Sequence, residues 1–276
     1  MKIKVNEFRE MVLSNYREAG RNFPWRGANP WGVMVSEFML QQTQTDRVMR
    51  YWENWMQKWP HPADLAKAPM EEVLRHWSGL GYNRRCYNLK NSAAMIATEY
   101  NGKVPDNPST LRLLPGIGPY IAGAIACFAY NYPCVFIETN IRSTMIHCFF
   151  PGRDDVKDSE IFPILESALY KKDPRTWYYA LMDYGASLKK LTDNPSRRSA
   201  HYVRQTPFIG SFRQARGKVI RALASMGSSN AKEIEMVCEL GEEKLYRVLD
   251  RLEKESLVAE EKGIYRIKDW QITESG

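Results

Sequence analysis

Apolar residues recur at helical spacing through nearly all of the first 190 residues, and Pro and Gly stand where helices would begin and end. No alternating strand pattern competes with helix in this region. The pattern therefore predicts a mainly α-helical chain. The predicted helices cover residues 30–40, 43–58, 69–79, 82–100, 109–114, 119–130, 138–149, 158–170 and 174–187.

Two helix starts are marked by capping residues. Asn29 and Pro30 are the residue types expected at an N-cap and at a first helical position. Thr43 and Asp46 have capping-box spacing, which predicts that the next helix begins at Thr43. The polar pair Gln41–Gln42 falls in the turn between these two helices.

The composition changes after residue 188. Residues 189–211 are interpreted as a basic linker that contains Pro, Arg and Lys. Three helical patterns follow, and residues 258–267 alternate like a strand pair with a turn at Lys262–Gly263. Three helices followed by a β-hairpin predict a small winged helix-turn-helix domain over residues 212–276. Its predicted helices cover residues 212–226, 231–239 and 242–257.

The charge balance favours a polyanionic partner. The 276 residues carry 39 Lys and Arg against 32 Asp and Glu, a formal charge of +7, which favours nucleic acid over an acidic small molecule. The first twenty residues hold no continuous apolar segment of the signal-peptide or membrane-spanning kind, so we expect a cytoplasmic protein. Five cysteines stand singly without C-x-x-C spacing, which disfavours a zinc site and a disulfide framework.

The sequence L-P-G-I-G-P-Y, from Leu114 to Tyr120, predicts a tight hairpin between two helices. Gly116 and Gly118 allow the backbone to turn sharply and to approach a ligand with no side chain between. The helix that follows presents unpaired N–H groups, which suit a phosphate. Taken alone, the same turn is also compatible with a plain helix–helix connection that ends on a glycine.

Several motifs in register resemble the MutY-type adenine DNA glycosylases of the endonuclease III superfamily. They are F-P-W-R at 23–26, V-S-E-F-M-L-Q-Q-T-Q at 35–44, G-L-G-Y at 79–82, G-K-V-P at 102–105, the hairpin at 114–120, E-T-N-I-R at 138–142 and L-M-D-Y-G-A at 181–186. The resemblance covers about the first 190 residues.

The resemblance implies a two-lobed helix-hairpin-helix glycosylase fold over residues 1–188. A six-helix lobe would span about 29–133, and a second lobe would combine 1–28 with 134–188. Double-stranded DNA that contains a mispair or lesion would lie across the cleft between the lobes. One nucleotide would be flipped out of the stack, at a cost of a few kcal/mol.

The resemblance also assigns DNA contacts. Gln42 would fill the gap left by the flipped nucleotide, and Tyr82 would enter the stack as well. Without the family, Gln42 would be a helix-start residue and Tyr82 a half-buried aromatic. The other predicted contacts are Gln41, Arg85, Leu114, Gly116, Gly118, Arg142, Lys189, Arg197 and Arg198.

Cleavage of a purine N-glycosidic bond needs a proton for the departing base and negative charge beside the oxocarbenium-like sugar. By motif, Glu37 would protonate the base and later help to activate water. Glu138 stands where the family has aspartate, and Asn140 would help to hold the sugar and the carboxylate. The extra methylene of Glu138 moves its carboxylate by roughly 1 Å, which costs on the order of a hundredfold in a preorganised site. Either the backbone compensates, or activity is weak, or the substrate differs.

Tyr120 occupies the position of the lysine that forms a Schiff base in endonuclease III-type lyases. Lyase chemistry needs an amine nucleophile. The resemblance therefore implies a monofunctional enzyme in which water attacks the sugar, with Tyr120 as a further residue of the catalytic site.

Two departures from the family pattern follow residue 186. Where the family has four cysteine ligands of an iron–sulfur cluster, this chain reads S-L-K-K-L-T-D-N-P-S-R-R-S. We therefore expect no cluster and no bound metal, apart from a possible monovalent cation at the hairpin. Lys189, Arg197 and Arg198 then either replace the cluster loop's phosphate contacts or belong to a solvated linker.

The second departure is the C-terminal domain. In the family, a C-terminal domain recognises 8-oxoguanine opposite the adenine, and here the predicted winged helix stands in its place. The mixed charge of its helix at 242–257 suits protein contact as well as reading of a DNA groove. That helix carries Lys244, Arg247 and Arg251 together with Glu242, Glu243, Asp250 and Glu253.

The sequence therefore predicts a monomeric, cluster-free DNA glycosylase that hydrolyses a mispaired or damaged base, with adenine as the first candidate. Two alternatives stay open. One is a glycosylase for thymine or uracil opposite guanine, or for a deaminated or alkylated purine. The other is a non-catalytic DNA-binding protein derived from this fold. No membrane partner is expected.

Overall fold

The computed structural model describes residues 3–204 and 207–269. These residues form fourteen α-helices, one short 3-10 helix at Pro195–Arg198 and three short strands. The helices are α1 (Val5–Ala19), α2 (Pro30–Leu40), α3 (Thr45–Lys58), α4 (Pro62–Lys67), α5 (Met70–Trp77), α6 (Arg84–Glu99), α7 (Pro108–Leu111), α8 (Pro119–Tyr130), α9 (Thr139–Phe149), α10 (Asp158–Ala168), α11 (Pro174–Leu191), α12 (Phe212–Met226), α13 (Ala231–Cys238) and α14 (Glu242–Lys254). The strands are β1 (Ser229–Asn230), β2 (Val258–Glu261) and β3 (Ile264–Ile267).

The mainly helical class and most predicted helix positions are confirmed. α2 covers the predicted residues, and the Asn29 side chain caps it by accepting a hydrogen bond from the Gly32 N–H at 2.8 Å. The predicted start of the next helix at Thr43 is wrong by two residues. Gln44 is the N-cap of α3, because the Thr43 hydroxyl instead donates to the Gln41 carbonyl and accepts from Arg85.

The described chain divides into two compact units. The first contains residues 3–34, 105–113 and 117–204, and the second contains residues 35–104, 114–116 and 207–269. α2 therefore begins in the first unit and ends in the second. None of the described helices combines the length and the apolar character needed to cross a membrane.

The first unit is held together by an apolar core and by a buried ion pair. Phe8 of α1 packs edge-on against Trp177 of α11, with ring centroids 5.7 Å apart. Arg26 donates to both carboxylate oxygens of Asp183 at 2.7 and 2.8 Å, and Arg21 donates to the same carboxylate. Burial alone would raise the pKa of Asp183, but the hydrogen bonds and charges of the two arginines hold that pKa below its usual value. The F-P-W-R and L-M-D-Y-G-A motifs thus meet in the interior.

The beginning of the predicted linker is folded. α11 continues to Leu191, and the 3-10 helix packs against α9. Ser199 forms a parallel bridge with Val156. The Arg198 guanidinium donates to the Phe150 carbonyl at 2.9 Å. The segment that follows α11 therefore belongs to the first unit.

The C-terminal part of the second unit has the predicted winged-helix arrangement. Its antiparallel sheet has the strand order β1-β3-β2, with Val258 opposite Ile267. The predicted turn at Lys262–Gly263 joins β2 to β3, and both residues have left-handed φ values of 52° and 79°. The apolar side of α14 is buried beneath this sheet and its neighbouring helices through Leu245, Val248, Leu249 and Leu252.

This C-terminal part packs on α5 and α6 of the same unit. Arg75 of α5 donates to the Ala224 carbonyl of α12 at 2.7 Å. The Tyr87 hydroxyl of α6 donates to the Leu257 carbonyl at 2.7 Å. Arg221 of α12 donates to the Ser78 hydroxyl at 3.0 Å. The contacts place α12 beside the G-L-G-Y turn that follows α5.

Candidate functional site

Glu138 is the N-cap of α9. Its Oε1 accepts hydrogen bonds from the backbone N–H groups of Asn140 and Ile141 at 2.7 and 2.8 Å. Its Oε2 accepts one from the Asn140 side-chain amide at 3.2 Å. The longer side chain therefore folds back so that its carboxylate occupies the capping position that an aspartate commonly takes.

Lys189 extends this arrangement from α11. Its Nζ donates to Asn140 Oδ1 at 2.7 Å, so that Glu138, Asn140 and Lys189 form a hydrogen-bonded chain. Gly185, one turn earlier on α11, makes the approach possible, because a Cβ there would lie 2.0 Å from the Asn140 carbonyl oxygen. The sequence predicted Lys189 as a DNA contact in a linker. The i, i+4 spacing from Gly185 was the signal that could have placed it on the same face of α11.

Burial and pairing have opposite effects on the pKa values of Glu138 and Lys189. Burial raises the pKa of Glu138, while the N–H groups of Asn140 and Ile141 and the charge of Lys189 oppose that rise. Burial also lowers the pKa of Lys189, and the charge of Glu138 opposes that fall. A carboxylate that is fixed by donors and partly removed from water can stabilise a cation that develops beside it.

The other predicted residues of the first unit have diverse environments. Arg142 forms a bidentate ion pair with Asp158, with both distances 2.7 Å. This pair ties α9 to α10, and the DNA contact expected of Arg142 stays a prediction. Tyr120, on the first turn of α8, packs edge-on against Phe136 with ring centroids 5.9 Å apart. Arg197 is exposed on the 3-10 helix, whereas the Arg198 guanidinium is engaged by the carbonyl groups of that unit.

Glu37 lies on α2 in a run of residues that are all buried, from Trp31 to Met39. Only 5% of Glu37 is exposed, and its neighbours Phe38 and Met39 are fully buried. Charged residues are rarely buried in this way unless they are paired or have a function. Glu37 is therefore unusual as the one charged residue of α2, and it belongs to the second unit.

Arg85 of α6 organises two turns of the second unit. Its guanidinium donates to the carbonyl groups of Phe38, Met39 and Gln41 on one side and of Leu80 and Gly81 on the other. Burial lowers the pKa of Arg85 to about 10, which still leaves it charged at neutral pH. The DNA contact expected of Arg85 stays a prediction. In the structure the residue is only 6% exposed, and its guanidinium positions the two turns.

These two turns carry Gln42 and Tyr82, the residues predicted to enter the DNA stack. Both have left-handed φ values, 54° for Gln42 and 49° for Tyr82, which are uncommon for side chains of this size. Both are exposed, Tyr82 by 37%. The neighbouring Gln41 has a buried Nε2 that has no hydrogen-bond partner among the described residues. Strained, exposed positions held by a buried clamp are typical of binding sites.

The predicted hairpin between α7 and α8 is present. Gly116 has a φ of 76°, and a Cβ there would lie 2.3 Å from Asn88 Nδ2, so the turn requires glycine. Gly118 is the N-cap of α8 and has no heavy atom within 4 Å of the position of a Cβ. Leu114 is only 2% exposed. Its side chain anchors the turn, and the DNA contact expected at Leu114 stays a prediction.

Nothing in the described part of the chain has the donor set of a metal centre. No group of three or more His, Cys, Asp or Glu residues comes together there in a way that could hold a metal ion.

Comparison with known proteins gives a family and several relatives. Residues 35–167 match the model of the HhH-GPD superfamily base excision DNA repair proteins. The chain is 33% identical over 240 residues to the adenine DNA glycosylase of Mycobacterium tuberculosis, covering 77% of each chain. It is 37% identical over 233 residues to that of Mycolicibacterium smegmatis, covering 77% of this chain and 78% of the relative. The human adenine DNA glycosylase is 34% identical over 198 residues, which are 67% of this chain and 36% of the human one.

Solved structures show the same fold. A thermostable thymine-DNA glycosylase superposes with a TM-score of 0.58 at 24% identity, covering 66% of this chain and 87% of that one. Endonuclease III in a non-covalent DNA complex superposes with a TM-score of 0.56 at 18% identity, covering 71% and 98%. At these identities the similarity concerns the helix-hairpin-helix glycosylase fold alone.

Proposed function

This chain belongs to the HhH-GPD superfamily of base excision DNA repair proteins and, within it, to the adenine DNA glycosylases, and from that premise we propose that it excises mispaired adenine by hydrolysis. It is a DNA glycosylase that binds DNA. The base, the mispair and the hydrolytic mechanism are the proposed part. The observation that carries the proposal is the fixed carboxylate of Glu138 at the start of α9.

In this proposal Glu37 delivers the proton to the departing base. Its place on the buried helix α2 supports the assignment, because proton transfer to a base is efficient from a carboxyl group that is shielded from water. Glu138 then stabilises the oxocarbenium-like sugar by its charge. Asn140 holds that carboxylate through both its backbone and its side chain, and water completes the displacement.

Tyr120 supports a mechanism without lyase activity. The phenol on the first turn of α8 offers no amine for a Schiff base. Lys189 is engaged by Asn140, so we assign it to the support of Glu138 rather than to covalent catalysis. Hydrolysis leaves an abasic site in an unbroken strand.

The proposal includes no iron–sulfur cluster. Residues 187–204 contain no cysteine, so this segment does not offer the donor set of the family's cluster. In place of a cluster loop, the 3-10 helix packs against α9 and Ser199 pairs with Val156 within the first unit. A monovalent cation at the hairpin stays part of the proposal, because the space beside Gly118 is open.

The expected partner is double-stranded DNA that contains a mispair or a lesion, bound by a monomer in the cytoplasm. Within the chain we propose residues 1–188 as the glycosylase domain and 212–276 as the winged-helix domain, joined by the basic segment 189–211, whose first part, to Arg204, is folded with the first unit. The net charge of +7 supports a polyanionic partner.

A panel of duplexes tests the choice of base. We expect the purified chain to excise adenine opposite guanine or 8-oxoguanine faster than thymine or uracil opposite guanine. Strand breaks should appear only after alkali converts the abasic sites. Faster excision of a pyrimidine would transfer the proposal to the other-base alternative. Excision of none of the bases would leave a non-catalytic DNA-binding protein.

Lys189→Gln tests the support of Glu138 by its neighbours. The charge of Lys189 lowers the pKa of Glu138, so its removal raises that pKa. Glu138 must be ionised to stabilise the sugar, and the variant should therefore lose activity at a higher pH than the wild type as the pH falls. The measurement is the single-turnover excision rate as a function of pH.

Two further variants act as controls for Lys189. Lys189→Arg keeps the charge and should restore much of the wild-type pH profile. Lys171→Gln removes an exposed lysine of the same unit and should leave the profile unchanged. An unshifted acid limb in Lys189→Gln would contradict the electrostatic role of this residue.

A further inference from the structure

The C-terminal part of the chain reaches Tyr82, the residue proposed to enter the DNA stack. Arg213 of α12 donates to the Tyr82 hydroxyl at 2.6 Å. Its guanidinium carbon also lies 5.7 Å from the centroid of the Tyr82 ring, and the guanidinium carbon of Arg85 lies 5.4 Å from that centroid. Tyr82 thus contacts an arginine of the glycosylase fold and an arginine of the winged helix.

Exposed apolar side chains continue from this point. Phe208 lies 6.0 Å from the Arg213 guanidinium, measured to the ring centroid. Phe208, Ile209 and Phe212 are exposed by 58%, 87% and 38%. Three large apolar residues exposed within five positions form a surface that monomeric proteins seldom leave without a partner.

Basic residues flank these apolar side chains. Lys244 of α14 donates to the Gly210 carbonyl at 3.1 Å, which joins the first turn of α14 to the exposed segment. Lys244, Arg247 and Phe212 line a cavity of about 310 Å³, to which Glu243 adds a carboxylate. With Arg213, the formal charge of these side chains is three positive against one negative.

The basic residues at the other end of α14 are engaged differently. Arg251 pairs with Glu255 at 2.6 Å, and Lys254 pairs with Asp250 at 2.8 Å. Lys244 and Arg247, in the N-terminal half of α14, form no ion pair among the described residues, although Glu242 and Glu243 lie in the same turn, and both line the cavity beside Phe212. The sequence showed only that α14 carries both signs of charge, and it did not show which of its basic residues form ion pairs.

We propose that the surface formed by Tyr82, Phe208, Phe212, Arg213, Lys244 and Arg247 binds the DNA duplex beside the nucleotide at which Tyr82 enters the stack. We call it the Tyr82 surface. Two features select DNA as the occupant. The surface is continuous with the residue proposed to intercalate, and it combines positive charge with aromatic side chains, as nucleic-acid surfaces do. This inference rests on the proposed function in placing Tyr82 at the DNA.

The salt dependence of DNA binding tests the Tyr82 surface. Each lost phosphate contact reduces the slope of log K against log salt by roughly 0.9. For the full chain with Lys244→Gln and Arg247→Gln combined, we expect the slope to fall by about 2 and the affinity for a 30-base-pair duplex at 0.1 M salt to fall by roughly tenfold or more. Fluorescence anisotropy measures both quantities.

A matched control removes two charges elsewhere in the same domain. Lys232→Gln combined with Lys254→Gln changes exposed residues of α13 and of the C-terminal end of α14. This control should keep the slope within about 0.5 of the wild-type value, well under the change from one lost contact. An equal loss in both double variants, or no loss in Lys244→Gln with Arg247→Gln, would overturn the proposal. The second outcome would indicate that the surface binds a protein instead.

The outcome is independent of the base that is excised. Binding is measured on a fully paired duplex, so it gives a result even for a chain that excises no base. If the chain excises no base from the mispairs but the double variant Lys244→Gln with Arg247→Gln shows the expected fall in the salt slope, the proposed function alone is contradicted. If the chain excises adenine but the salt slope of the double variant is unchanged, the Tyr82 surface alone is contradicted.

Discussion

Glu37→Gln is expected to lower the single-turnover rate of base excision by roughly 10²–10⁴-fold, the usual contribution of a general acid. The substitution keeps the size of the side chain and removes its acidic proton. Glu37 is buried in an apolar helix, and the neutral amide costs less to bury than a carboxylate, so the fold should be retained. The measurement is adenine excision at saturating enzyme.

A matched control separates catalysis from loss of structure. Glu99→Gln makes the same chemical change at an exposed position of the second unit, and it should leave the rate unchanged. DNA binding by Glu37→Gln should also stay close to that of the wild type. Full activity in Glu37→Gln would mean that another group supplies the proton.

Glu138→Gln should lower the excision rate by roughly 10²–10³-fold, as expected when a preorganised charge is removed from the transition state. The amide oxygen of glutamine can still accept the two N–H bonds at the start of α9, which Glu138 accepts at 2.7 and 2.8 Å. The loss should therefore appear in the rate and not in the melting temperature. Both quantities are measured on the same preparation.

Glu138→Asp is the companion variant, because it keeps the charge and the cap. We expect it to be more active than Glu138→Gln, because it keeps the negative charge and the cap while moving the carboxylate by roughly 1 Å. Equal activity of the glutamine variant and the wild type would remove Glu138 from the mechanism. An aspartate variant as slow as the glutamine variant would show that the length of the side chain decides.

The helices could be predicted from the sequence because their signals are local. Proline at the start of α2, α7, α8 and α11 and periodic apolar positions identified these helices. The hairpin could be predicted for the same reason, because Gly116 needs a left-handed φ that few other residues adopt. The predicted start at Thr43 was wrong because the Thr43 hydroxyl, which a capping box would use, accepts a hydrogen bond from the distant residue Arg85.

The candidate site could be predicted only in part. The motifs identified Glu37, Glu138 and Asn140, and the resemblance assigned their roles. The roles of Arg85 and Lys189 depend on partners 44 and 49 positions away along the chain, Gln41 and Asn140. Arg85 was expected to contact DNA, and Lys189 was expected either to contact phosphate or to lie in a solvated linker. The burial of Arg85 and the close approach at Gly185 give both residues partners within the chain that the sequence did not indicate.

In the C-terminal domain, too, local patterns predicted the elements but not their contacts with the rest of the chain. Its strands and helices followed from alternation and periodicity, including the turn at Lys262–Gly263. Its contacts with α5, α6 and Tyr82 involve residues more than 130 positions apart. No pattern within the domain itself indicates them.

Analysis of the reaction products is the most direct test of hydrolytic excision of adenine by this chain. The wild-type chain is incubated with a duplex that contains mispaired adenine, and the products are examined by mass spectrometry before any alkali is added. Hydrolysis predicts free adenine in an amount equal to the abasic sites, a sugar whose mass corresponds to the addition of one water in place of adenine, and an unbroken strand. Absence of free adenine, or a strand that is broken without alkali, would contradict it.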